Sequence, residues 1–121
     1  MIIGIGVDTV DIARFERYLS RTPKLLERLF GEGERDLPTH SLAARFAAKE
    51  ALVKALGHSG GMTWPDMQVE RGEHQAPGFV LTRKLEIELA SRGADRVHLS
   101  MTHDAGIATA FVVIEGGGLG L

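Results

Sequence analysis

Apolar positions recur along this chain with two different periods, and the changes of period mark out its elements. Ile2 to Val7 alternates as a strand, with Ile3, Ile5 and Val7 on one face and Ile2, Gly4, Gly6 and Asp8 on the other. Asp8 falls at its C-terminal end, and the two glycines clear one face just before that carboxylate, the mark of close approach by another backbone or a ligand. From Asp11 to Arg21 the period becomes helical: Ile12, Phe15 and Leu19 share one face and Arg14, Arg17 and Arg21 roughly the opposite one, with Asp11 as the cap. Lys24 to Phe30 predicts a short helix with Pro23 at its first position and Gly31 as its stop. Gly31 to His40 is polar and loop-like, with room for one helical turn over Glu34 to Leu37.

Ser41 to Leu56 predicts the central element. Alanine and leucine dominate, no glycine or proline interrupts, and Gly57 ends it. Leu42, Phe46, Lys49, Val53 and Leu56 form one stripe with Arg45 at its edge, while Glu50 and Lys54 stand one turn apart above the small Ala43 and Ala47. A helix that is apolar or small on almost every side is a buried helix, and buried charges need partners. The glycine-rich stretch His58 to Pro65 is either a connector or a loop that lets backbone approach a ligand. Met67 to Arg71 and Gly78 to Leu81 predict a strand pair, and Thr82 caps a helix to Ser91 whose Leu85, Ile87 and Leu89 face inward. Val97 to His103 alternates as a strand. After the Asp104–Gly106 turn, Ile107 to Ile114 is apolar on both faces, as expected of a central strand.

Composition narrows the function classes. The chain has 121 residues, enough for one domain with its own core, assigned here to residues 1–115, and Gly116 to Leu121 reads as a frayed, flexible tail. With no cysteine, disulfides, thiol catalysis and cysteine-held metal are excluded. A net charge of −2 gives no global attraction to nucleic acid or membrane, so any basic site must come from local clustering. The N-terminus lacks the features of a signal peptide and no apolar run is long enough to span a bilayer, so the expectation is a cytoplasmic protein.

Three groups could carry chemistry: Asp8, the Glu50/Lys54 pair with Lys49 and Arg45, and His103. Singly each has a plainer reading, since an exposed Glu–Lys pair is worth only about 0.3–0.5 kcal/mol and a lone histidine at a strand end is usually structural. Three arginines on one helix face read as solvated surface, or as a docking patch for an acidic partner. Together the groups supply two carboxylates for a hard cation, several cations for phosphate and one titratable base. That is the inventory for Mg²⁺-assisted phosphoryl-type transfer. The histidines show no zinc-ligand spacing.

The blocks Gly4-Ile-Gly-Val-Asp8 followed by Arg14, Phe46-Ala-Ala-Lys49-Glu50-Ala-Leu-Val-Lys54-Ala55, and Ser100-Met-Thr-His103 occur in this order. In that respect the chain resembles the holo-acyl-carrier-protein synthases, the short bacterial 4′-phosphopantetheinyl transferases, from Met1 to Glu115. Thr102 stands where serine is usual and keeps the hydroxyl. The resemblance implies an α+β fold with a mainly antiparallel sheet on one long helix, and a place in fatty acid biosynthesis. It implies Asp8 and Glu50 as Mg²⁺ ligands and Glu50 and Lys54 as catalytic groups. Arg45, Lys49, Lys54, Gly60, Gly61, Thr102 and His103 would contact coenzyme A, and Arg14, Arg17 and Arg21 would dock an acyl carrier protein. It further implies a homotrimer with active sites between subunits, one of which would meet the charges on the central helix. The expected reaction moves phosphopantetheine from coenzyme A to a carrier serine. The rivals are a non-catalytic trimeric nucleotide- or carrier-binding module, and a Mg²⁺-dependent phosphohydrolase of coenzyme A.

Overall fold

The computed structural model describes residues 1–117 and is an α+β fold built on an antiparallel sheet. Its strands are β1 (Ile2–Asp11), β4 (Arg96–Asp104) and β5 (Ile107–Glu115), in spatial order β1-β5-β4. Between them lie α1 (Ile12–Arg21), α2 (Leu25–Leu29), α3 (Thr39–Leu56), a 3₁₀ turn at Trp64–Met67, a two-stranded ribbon of β2 (Val69–Arg71) and β3 (Pro77–Phe79), and α4 (Arg83–Ser91).

The strand with apolar residues on both faces is indeed the central one. Ala108, Ala110, Val112 and Ile114 of β5 are buried beneath α3, whereas Ile107 and Phe111 point out of the opposite face. β1 runs four residues further than its apolar run, so Asp8 sits within the strand, paired with Ala110, and not at its end. The sheet ladder with β5, not hydrophobicity, carries β1 on to Asp11, whose side chain then caps α1 by accepting the Arg14 N–H at 2.9 Å.

α3 lies across the sheet at unusually short range. A Cβ on Gly4 would stand 2.1 Å from the Ala55 carbonyl oxygen, and one on Gly6 would stand 1.8 Å from that of Ala51. The glycine-cleared face of β1 therefore receives a helix, with alanines Ala47, Ala51 and Ala55 at the contact. The helix begins two residues earlier than its apolar pattern, at Thr39 behind Pro38, and Gly57 ends it in the left-handed conformation at φ 88°. At its C-terminus Arg92 donates to the Leu56 carbonyl.

Several smaller expectations shift. The short second helix is confined to Leu25–Leu29 with Pro23 outside it, Met67 belongs to the 3₁₀ turn, and Ile87 faces solvent while Leu85 and Leu89 are buried. Gly116 is packed against Gly93 and exchanges two hydrogen bonds with Met1, so the chain is still anchored where the tail was expected to start. Residues 118–121 of that expected tail lie outside the described residues.

Candidate functional site

The short β1–α3 distance brings Asp8 to the side chains of α3. Lys54 Nζ donates to Asp8 Oδ1 at 3.0 Å and to the Val7 carbonyl at 3.0 Å. Glu50, one turn earlier on α3, faces the same corner. Burial first and the Asp8 charge second hold its carboxyl above the usual range, with Lys54 pulling the other way. These carboxylates line one wall of a cleft of about 190 Å³ between α1 and α3, with Arg14 and Tyr18 opposite and Phe15 and Phe46 as its floor. The two rings stack at 5.6 Å.

α1 divides its arginines. Arg14 shares the cleft with Asp8 and Glu50, whereas Arg17 and Arg21 edge a separate shallow hollow along the outer side of the helix, beside Glu16 and Ser20.

A second, smaller pocket of about 100 Å³ opens at the other end of α3. Arg45, Thr102 and His103 meet there, joined by His40, Ser41 and Arg71, none of which stood out in the sequence. The His40 and His103 rings are 5.0 Å apart. Arg45 is only 6% exposed, and its Nε is buried without a hydrogen-bond partner among the described residues. Burial and, more weakly, Arg71 push its pKa down while Glu34 opposes them. A concave pocket with two guanidiniums, two imidazoles and two hydroxyls is suited to an oxyanion such as phosphate.

Two expected contacts take a different form. Lys49 does not reach toward a phosphate: it is fully buried, its ammonium 2.7 Å from Glu34 Oε1 and 3.0 Å from the Trp64 carbonyl, above the Phe30 ring at 5.1 Å. Its place in the apolar stripe reflects a buried ion pair, and no stem reaches out to solvent. Gly60 and Gly61 close onto α4: the Gly61 N–H donates to Glu88 Oε1 at 3.2 Å, and a Cβ on Gly60 would overlap that carboxylate. Neither glycine lines the Asp8 cleft or the arginine pocket.

Among the described residues no three histidines, aspartates or glutamates cluster as a complete metal cage. The Asp8/Glu50 corner still fits a hard divalent cation. It offers two carboxylates, one of them resisting ionisation partly because of the other, so a cation between them would relieve a repulsion now countered by Lys54.

Residues 4–110 match the model of the 4′-phosphopantetheinyl transferase superfamily. The holo-acyl-carrier-protein synthase of Leifsonia xyli subsp. xyli is 61% identical over 115 residues, spanning 95% of this chain and 98% of the relative. The crystal structure of the synthase from Neisseria meningitidis superposes with a TM-score of 0.87 at 32% identity, covering 95% of this chain and 99% of the other. The Helicobacter pylori synthase in complex with coenzyme A gives 0.79 at 33% identity, with 92% and 99% covered.

Proposed function

The chain belongs to the 4′-phosphopantetheinyl transferase superfamily, and on that premise we propose that it transfers 4′-phosphopantetheine from coenzyme A to a serine of an acyl carrier protein. The observation that carries the reading is the convergence of Asp8, Glu50 and Lys54 at one corner of a cleft that Arg14 also lines. One domain, residues 1–115, supplies it.

The serine oxygen forms a bond to the β-phosphorus of coenzyme A, the bond from that phosphorus to the bridging pyrophosphate oxygen breaks, and adenosine 3′,5′-bisphosphate leaves. Asp8 and Glu50 are the residues that would hold Mg²⁺, which when bound supplies positive charge beside the pyrophosphate. Glu50 accepts the serine proton, directly or through a water. Lys54, on the same corner and with an exposed ammonium, turns from Asp8 to the oxygens that gain charge as the bond breaks. The Arg45/Arg71/His103 pocket takes a phosphate of the nucleotide half. Arg14, at the cleft, and Arg17 and Arg21, on the outer face of α1, meet the acidic carrier.

The expected trimer finds its support on the sheet and not on α3. Ile5 and Val7 of β1 and Ile107 and Phe111 of β5 are exposed on the face away from the helix, an apolar surface that a neighbouring copy would cover. Among the described residues no helix is long and apolar enough to cross a membrane, and we place the reaction in the cytoplasm.

The decisive experiment incubates the protein with an apo carrier protein, coenzyme A and Mg²⁺ and weighs the carrier by mass spectrometry. The expected product is heavier by one phosphopantetheine. An unmodified carrier that a known synthase can modify would refute the transferase reading, and loss of coenzyme A without a carrier would establish a phosphohydrolase instead.

A further inference from the structure

Glu34 lies in the polar connection between α2 and α3, yet it is fully buried. Its Oε1 accepts from Lys49 Nζ at 2.7 Å and from the Gly31 N–H at 3.1 Å, and its Oε2 accepts from the Val69 N–H at 3.0 Å. One carboxylate thus joins the α2–α3 connection, α3 and β2. Lys49 stands one helical turn beyond Arg45 on α3, and Val69 stands two residues before Arg71, on the same side of β2. The two elements that Glu34 ties together are therefore the two that carry the arginines of the smaller pocket.

Those arginines repel each other, and Arg45 is buried with its Nε unpartnered among the described residues. Glu34 is the negative charge acting on Arg45, and Lys49 is spent entirely on Glu34, Trp64 and the Phe30 face. Stability alone does not call for such a pair, because a buried ion pair can often be replaced by neutral groups with no loss. What an apolar replacement lacks is the directional hold on both walls.

We infer that Glu34 is the positioning residue of the anion pocket, holding Arg45 through Lys49 and Arg71 through the Val69 amide at the separation a phosphate requires. The inference rests on the reading above in which this pocket takes a phosphate of coenzyme A.

The test is calorimetric binding of coenzyme A, with no transfer required, to the wild type, Arg45→Ala, Glu34→Asp and the double variant Glu34→Gln/Lys49→Met. Glu34→Asp keeps the charge but is one methylene too short to reach Lys49 and Val69 together. The double variant removes the pair without leaving a lone buried charge. Both are expected to keep the wild-type circular dichroism spectrum and to bind coenzyme A roughly tenfold or more weakly, the scale on which partners that orient a binding group act, while KM for the carrier is unchanged. Wild-type affinity in a folded Glu34→Asp or double variant overturns the inference, and so does wild-type affinity in Arg45→Ala, which would remove the pocket from coenzyme A binding. A wild type that binds coenzyme A but modifies no carrier defeats the transferase reading, and the binding data still decide the role of Glu34.

Discussion

Replacing Gly6 with alanine tests the contact on which the site depends. The added Cβ would lie 1.8 Å from the Ala51 carbonyl oxygen, 2.8 Å from its carbon and 2.9 Å from the Ala55 nitrogen. All three are backbone atoms of a helix held across the sheet, so no side-chain rotation relieves the overlap. Restoring a carbon–oxygen contact of about 3.3 Å requires β1 and α3 to separate by about 1.5 Å. Overpacking of this kind costs about 1–3 kcal/mol, and a backbone-on-backbone clash belongs near the top of that range. For a chain of this length that is a fall in Tm of about 10 °C. Asp8 is two residues along the same face, so its 3.0 Å contact with Lys54 opens as well. A displacement of about 1 Å in a catalytic constellation can lower the rate by about 10²-fold, so the surviving folded protein should lose more activity than stability. Thermal unfolding by circular dichroism and the mass-spectrometric transfer assay read the two effects. Gly78→Ala, where a Cβ meets nothing within 4 Å among the described residues, is the control. A Gly6→Ala protein that melts within about 2 °C of wild type would show that the close packing of β1 on α3 is wrong.

Other expectations concern single groups. Glu50→Gln should lower turnover by about 10²-fold or more without lowering Tm, because burial already disfavours the charge it removes; full turnover would take Glu50 out of the reaction. Arg14→Glu should raise KM for the carrier far more than for coenzyme A, and equal rises would place Arg14 elsewhere. Val7→Asp, on the exposed sheet face, should shift the species seen by sedimentation to the monomer; an unchanged profile would put any subunit contact on another surface. Asp66 loses something to burial, but the Thr63 N–H at 2.7 Å, the Thr63 hydroxyl at 3.0 Å and Lys84 at 3.3 Å more than offset it and hold its pKa down. A depressed carboxylate stabilises above the ordinary aspartate range and loses that contribution as pH falls through its own lowered pKa. Urea titrations of wild type and Asp66→Asn should therefore converge at the acid end of the range and differ at neutral pH; parallel curves would contradict the assignment.

Much of this was legible because it is local. Two glycines and a carboxylate on one face of a strand, and a helix of alanines carrying Glu50 and Lys54, already implied a close pairing, and the structure brings Asp8 to Lys54. The stripe placed Lys49 among apolar residues and so required a counter-charge, but nothing periodic singled out Glu34 from Glu32 and Asp36 in the loop before α3. Only the fold, by burying Glu34 against Lys49 and the Val69 N–H, selects it. Arg71 and His40 were illegible for the same reason: they join Arg45 and His103 through a ribbon and a helix start that the hydrophobic pattern does not register. β1 outran its apolar residues because its continuation depends on β5, far along the chain.

That last pairing has a consequence for biosynthesis. Asp8 of β1 is bonded across the sheet near Ala110 of β5, and among the described residues β5 is also the only strand joining β4 to β1. A ribosome adding about 5–20 residues per second needs roughly 5–20 s to make the hundred or so residues that separate them. Throughout that interval β1 is an apolar strand without a ladder partner, open to pairing with another nascent chain. α3 emerges about halfway, and its alanine face is the first surface able to shield the glycine side of β1. The same packing that later aligns Asp8 with Glu50 and Lys54 therefore covers one face of β1 early, while its ladder edge stays open until β5 is made.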